Sequence, residues 1–211
     1  VSVVYLVRHG ETEWNRIMRI QGQSDVELSE RGRDQARRLA RRMERWRIDR
    51  ALTSDLARAQ ETARIVLGER EVPLETDPRL RERHFGEWEG LTREEVLARD
   101  EAAYHRWGED PWPFRPPGGE SLEDVSQRAA SLVEELRAGD GHVLVVSHGG
   151  TLQTMLRHLL GWAGGGGPQI ILFNTGLTIL RLWPDRVRLE RLNDIGHLEI
   201  HPDGQVSQKQ A

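Results

Sequence analysis

Two stretches of the chain are apolar at almost every position: Val1-Ser2-Val3-Val4-Tyr5-Leu6-Val7 and His142-Val143-Leu144-Val145-Val146-Ser147. Both are short and rich in β-branched residues, the pattern of strands buried on both faces of a sheet. Each stops at a histidine followed by glycine, His9-Gly10 and His148-Gly149. A weaker run, Ala51-Leu52-Thr53-Ser54, marks a third strand. Elsewhere the period changes. Leu28, Ala36, Leu39, Ala40, Met43 and Trp46 recur at helical spacing with Ser29 placed as a cap, and Leu122, Val125, Ala129, Leu132, Val133 and Leu136 do so behind Ser121. Asp55 to Leu67 and Thr151 to Leu160 predict two more helices, each directly after a strand. Strand then helix, repeated, predicts an α/β protein with three layers, α/β/α, around a mostly parallel central sheet.

Chain breakers divide the rest. Glu109 to Gly119 holds four of the nine prolines together with Trp112 and Phe114, which predicts an ordered loop. Gly164 to Gly167 before Pro168 predicts a flexible turn, with Gly161 and Trp162 beside it. Leu177 to Trp183 and Arg186 to Leu192, joined by Pro184-Asp185, read as a hairpin. The polar tail, 202–211, is expected to fray. No internal repeat or linker appears. The expectation is a single domain over 1–211, with 83–120 as a lid covering the substrate.

Composition narrows the class. A chain of 211 residues supports one substantial core, and 30% charged with 37% hydrophobic residues suits a folded, soluble protein. No run approaches the ~20 apolar residues that span a bilayer. The opening strand lacks the regions of a signal peptide, so cytoplasmic residence is expected. The net charge of −4 speaks against a nucleic-acid partner. Lys209 is the only lysine, and the arginine excess is read as a compositional habit rather than a functional sign. With no cysteine, disulfides, thiolate metal sites and thiol nucleophiles are excluded.

The chemistry is expected at the carboxyl edge of the sheet, where ligands of open parallel sheets bind. Three junctions reach that edge: Arg8-His9-Gly10-Glu11-Thr12, Ser54-Asp55 with Arg58 one turn further on, and Ser147-His148-Gly149-Gly150. Two guanidinium groups together repel a metal cation and favour a dianion, and phosphate matches their planar fork. Glycines after each histidine admit backbone N–H groups, and a helix N-terminus adds partial positive charge. A histidine in such a cage is placed to attack phosphorus. No His-Glu-x-x-His, Asp-x-Asp or Gly-Lys-Ser/Thr sequence occurs, so metallohydrolase, aspartyl-phosphate and P-loop chemistries have no motif here. A phosphate-binding module without catalysis remains the rival from another class.

These residues resemble the signature of the histidine phosphatase superfamily, which includes the cofactor-dependent phosphoglycerate mutases. The resemblance extends in order through Asn15, Gln21-Gly22, Leu28-Ser29 with Gly32, Thr53-Ser54-Asp55-Leu56 with Arg58-Ala59 and Thr62-Ala63, Leu80-Arg81-Glu82, Phe85-Gly86, Trp88-Glu89-Gly90 and Ser147-His148-Gly149-Gly150. It implies His9 as the nucleophile, with Arg8, Arg58 and His148 holding the transferred phosphoryl group. It also implies Asn15, the backbone near Gln21-Gly22 and Gly149 as further contacts, and Glu82 as the acid and base. Glu11, Glu13, Glu87 and Glu89 compete for that last role by composition alone. No cofactor or metal is implied, and the partner expected is a small phosphorylated molecule. Oligomeric state and regulation have no signal.

The family's mutases carry a longer insertion with paired arginines. Here the region is short, Pro111-Trp112-Pro113-Phe114-Arg115-Pro116-Pro117-Gly118-Gly119-Glu120-Ser121. Together with Gly86-Glu87-Trp88-Glu89-Gly90 it looks like the bacterial small-molecule phosphatase branch, whose substrates include phosphorylated acids and sugars, glucosyl phosphoglycerate and α-ribazole phosphate. Mutase-type transfer is the alternative. Trp107, Trp112 and Phe114 either wall the substrate or pack the loop to the body.

Overall fold

The apolar runs are continuous because helices cover both faces of the sheet they enter. In the computed structural model, which describes residues 1–162 and 170–198, β1 (Ser2–Arg8) pairs in parallel with β4 (Gly141–Ser147) over its full length. β2 (Arg50–Thr53) pairs in parallel with β4 on its other side and with the short β3 (Leu74–Thr76). The hairpin of β5 (Leu177–Leu182) and β6 (Val187–Asp194) adds antiparallel to β1, giving a six-stranded mixed sheet in the order β3-β2-β4-β1-β5-β6.

Strand pleating sends alternate residues to opposite layers. Val3, Tyr5 and Val7 of β1 pack with Leu39 of α2 (Glu30–Arg42), with Met43 that caps its end, and with Ala59, Ala63 and Val66 of α3 (Ala57–Leu67). Val4 and Leu6 face Leu132, Val133 and Leu136 of α6 (Leu122–Ala138), and Leu152, Met155 and Leu156 of α7 (Gly149–Leu159). Burying one such side chain contributes about 1.5–3 kcal/mol. Propensity differences among ordinary helix residues stay under about 1 kcal/mol. The apolar stripe therefore holds each helix, and the caps set its start. Ser29 accepts from the Gly32 N–H, and Ser121 forms a capping box with Asp124.

Several boundaries differ from the sequence expectation. Leu28 and Trp46 lie outside α2, and both still pack. Leu28 bridges to Thr12, and Trp46 lies 5.4 Å, centroid to centroid, from Tyr5. The sequence reading assigned no elements to β3, the turn α1 (Glu13–Arg16), α4 (Arg93–Arg99) or α5 (Glu101–Glu109). α4 and α5 bury Val96 and Ala103 against Trp88 in a third apolar cluster with Ile20, Phe85 and Trp107. Glu109 ends α5, and the proline-bearing loop begins after it. The turn expected at 164–168 and the tail at 202–211 lie outside the described residues. Among the described residues no helix is long and apolar enough to cross a membrane.

Candidate active site

Where β1 ends, the backbone of His9 is gripped by β4 on one side and by the loop before β5 on the other. Its N–H donates to the Ser147 carbonyl at 2.9 Å, and its carbonyl accepts from Asn174 Nδ2 at 2.9 Å. The ring is buried, and Nδ1 lies 2.7 Å from the Gly10 carbonyl oxygen. A carbonyl only accepts, so this contact assigns the proton to Nδ1 and leaves the lone pair on Nε2. The Gly10 N–H donates to Thr62 Oγ1, and that hydroxyl donates to the Arg58 carbonyl, tying α3 to the turn. Gly10 approaches α2 so closely that a Cβ would stand 2.5 Å from the Gly32 carbonyl oxygen. Only glycine fits there.

Cations and imidazoles surround His9. Arg58 is fully buried and donates through Nη1 to the Ser24 carbonyl and through Nη2 to the Gly22 carbonyl. Arg8 donates through Nη1 to the Leu172 carbonyl, and its guanidinium lies against Gly149, where a Cβ would come within 3.7 Å of Cζ. The ring of His148, fully buried, has its centroid 5.1 Å from that of His9. Arg8 Nε, Arg58 Nε and both ring nitrogens of His148 are buried with no hydrogen-bond partner among the described residues. Buried orphan polar atoms are rare and costly, so four of them around one imidazole mark a place shaped for an acceptor-rich ligand.

Electrostatics keeps the imidazoles neutral. Burial, reinforced by Arg58 and Arg8, holds His9 well below the usual histidine range, and burial with Arg58 does the same to His148. Burial lowers Arg58 only to about 10, so it stays charged at neutral pH.

Glu82 lies over the N-terminus of α7. Its Oε2 accepts from the Gly150 N–H at 3.1 Å, and its Oε1 accepts from the Thr151 and Arg83 N–H groups. Of its competitors, Glu13 and Glu87 are exposed and paired with Arg16 and Arg99. Glu11 is buried beside Ser29 and Arg31, and Glu89 accepts from Gln23 N–H, Ser24 Oγ and Phe85 N–H. Asn15 closes the capped turn α1, its Oδ1 accepting from the Thr12 N–H. Gln21 is nearly buried with Oε1 unpartnered among the described residues, and Gly22, at φ +53°, presents its carbonyl to Arg58.

A cavity of about 670 Å³ is bordered by Arg8, Glu82 and Gly149 and by Tyr104, Trp107 and Trp112. Phe114 turns inward instead and stacks on Trp88 at 5.4 Å. Two participants carried no sequence signal: Asn174 reaches His9 across 165 positions, and Arg83 borders the cavity. Glu89, weighed from the sequence only as an acid or base and as part of Trp88-Glu89-Gly90, instead ties the 83–89 segment to Gln23 and Ser24. Among the described residues no group of three or more His, Asp or Glu side chains is arranged to hold a metal ion.

Fold and site together define a class, an α/β protein whose sheet edge holds a buried histidine pair set among arginines. A family model for the histidine phosphatase superfamily (branch 1) matches residues 4–195. The chain belongs to the histidine phosphatase superfamily. It is 35% identical to phosphoglycerate mutase-like protein 4 of Arabidopsis thaliana, over 93% of this chain and 86% of that one. It is 40% identical to glucosyl-3-phosphoglycerate phosphatase of Mycolicibacterium vanbaalenii, over 76% of this chain and 75% of that one. Among solved structures, Bacillus stearothermophilus YhfR superposes with a TM-score of 0.85 at 36% identity, covering 94% of this chain and 100% of its own.

Proposed function

We propose that the protein is a metal-independent phosphatase that hydrolyses small phosphomonoesters through a covalent phosphohistidine on His9. The observation that carries this is the His9 ring, with Nδ1 anchored on the Gly10 carbonyl and Nε2 left as the lone-pair nitrogen beside the buried Arg58 and the half-buried Arg8. Arg8, Arg58 and His148 bind the non-bridging phosphoryl oxygens, with Asn15, Gln21, the Gly22 backbone and the Gly149 N–H as further contacts. Phosphoryl transfer is loose, so fixed charge around the equatorial oxygens and in-line positioning do most of the work. His9 Nε2 attacks phosphorus as the P–O ester bond breaks, and protonated Glu82 gives its proton to the departing oxygen. Water then attacks the phosphohistidine, Glu82 takes its proton, the P–N bond breaks, and orthophosphate leaves with His9 neutral again. The guanidinium pair disfavours a metal cation at the same spot.

The segment 83–120 serves as the lid. Trp107 and Trp112 border the cavity and form its apolar wall, while Phe114 packs the segment internally. Relatives named as mutases begin a second reading, in which the phosphohistidine returns its phosphoryl group to an organic acceptor.

The test is turnover of p-nitrophenyl phosphate in EDTA, by wild type and by His9→Ala. Turnover by the wild type and at least about a 10³-fold loss in the variant is expected. Equal turnover by both removes His9 from the nucleophile's role. Turnover abolished by EDTA and restored by a divalent metal would revive a metallohydrolase.

A further inference from the structure

The loop before β5 holds the end of β1, and a side chain from beyond β6 holds that loop. The Thr175 N–H donates to the Arg8 carbonyl at 2.8 Å, and Asn174 Nδ2 donates to the His9 carbonyl at 2.9 Å. The Leu172 carbonyl accepts from Arg8 Nη1 at 2.7 Å. One short loop thus fixes the backbone of Arg8 and His9 and the direction of the Arg8 guanidinium. Thr175 reaches this arrangement at φ +55°, in the left-handed region. A β-branched residue rarely adopts such backbone, which persists only where its surroundings over-determine it.

The end of β6 and the turn after it supply that constraint. Asn193 Oδ1 accepts from the Phe173 N–H at 2.8 Å, and its Nδ2 donates to the Ile171 carbonyl at 2.9 Å. Further on, His197 Nε2 lies 3.0 Å from Thr175 Oγ1. The single proton of the Thr175 hydroxyl goes to the Asn174 carbonyl, 2.7 Å away. Towards His197 the hydroxyl can only accept, which places the ring proton on Nε2. His197 Nδ1 is buried with no partner among the described residues, and burial lowers the ring's pKa to about 4. The ring is therefore a neutral donor at neutral pH. It does not border the cavity, and the phosphoryl-transfer steps do not use it.

Resting on the phosphatase reading above, we infer that His197 is a positioning residue for the phosphate cage, acting through Thr175. Its N–H locks the 172–175 loop in the conformation that aims Arg8 and holds the His9 backbone. Without that bond Thr175 relaxes toward ordinary backbone, and the Leu172 carbonyl and the Thr175 N–H shift together.

Calorimetric titration with inorganic phosphate, at neutral pH and well below each variant's melting temperature, reads the cage without turnover. His197→Ala and Thr175→Val should each weaken phosphate binding by about 3- to 10-fold, the range of one neutral hydrogen bond. The double variant should bind no more weakly than Thr175→Val alone, because His197→Ala then has no bond left to remove. His197→Gln, whose amide N–H can stand where Nε2 stood, should recover most of the affinity, and kcat on p-nitrophenyl phosphate should follow the same order. Wild-type phosphate affinity in folded His197→Ala, even with a lowered melting temperature, marks a purely structural residue and overturns the inference. So does a double variant whose loss is the product of the two single losses. If His197→Ala does not fold, wild-type affinity in Thr175→Val, which keeps the β-branched shape, overturns it alone. Failure of the phosphatase reading looks different: phosphate affinity would still track His197 in a protein that turns nothing over.

Discussion

At His9 a single contact, from Nδ1 to the Gly10 carbonyl, settles which nitrogen keeps its lone pair, and burial with the surrounding cations settles how long it stays unprotonated in acid. An imidazole at its ordinary pKa of ~6.5 would be mostly protonated at about pH 5.5 and unable to attack. Burial with Arg58 and Arg8 moves that loss to lower pH. Activity on p-nitrophenyl phosphate should therefore hold from about pH 7 to about pH 5.5. An acid limb with its midpoint near ~6.5 would contradict the depressed imidazole. Legibility at this scale was uneven. Arg8, His9, Arg58, Glu82 and His148 stand in motifs whose spacing and order resemble the family's. Asn174 had no such mark: its amide acts on a carbonyl 165 positions away, a distance that no local pattern encodes.

Among the elements, the start of α7 carries the most chemistry. Gly149 leaves room for the Arg8 guanidinium, and a Cβ at Gly150 would lie 2.7 Å from Glu82 Oε1. Gly150→Ala should push that carboxyl aside and cut kcat by about 10- to 100-fold. Alanine favours a helix by up to about 1 kcal/mol over glycine, so the melting temperature should hold or rise. Steady-state kinetics beside calorimetry checks the pair; unchanged kcat would mean that Glu82 has room to relax. The clasp at Glu89 works differently. Its carboxylate accepts from Gln23 N–H, Ser24 Oγ and Phe85 N–H, and the Ser24 carbonyl in turn holds Arg58. Glu89→Ala should cost about 1–3 kcal/mol in denaturant unfolding and weaken phosphate binding, because donors at Gln23 and Phe85 lose their acceptor. The long elements were legible because their apolar residues repeat over several turns. β3, of three residues, and α4, of seven, are too short for a period to emerge, and α5 spreads its few apolar positions among charges.

For the molecule as a whole, buried neutral histidines link stability to pH. His9 and His148 are held well below the usual range, and burial lowers His197 to about 4. Unfolded chains take up these protons near ~6.5 while the native state does not, so the unfolded state binds more protons below that pH. The stabilisation is complete above ~6.5 and is lost as pH falls beneath it, for His197 down to about 4. The melting temperature at about pH 5 should fall below that at about pH 7.5, and a flat or rising trend would refute the linkage. Asp55, Asp77 and Asp194, lowered by their arginine partners, stay ionised through this window and do not reverse its sign.

By itself the sequence determined the layers and the sheet edge at which the candidate site gathers. Hydrophobic period is a property of consecutive residues, and a strand ending in His-Gly must deliver that histidine to the rim of a parallel sheet. Tertiary structure alone decided what joins there. Ser147 and Asn174 close on the His9 backbone, Gly22 and Ser24 aim Arg58, and the 83–89 segment brings Arg83 to the cavity wall. These contacts link positions far apart in the chain through backbone carbonyls and amides, which every residue carries alike and which leave no trace in side-chain pattern.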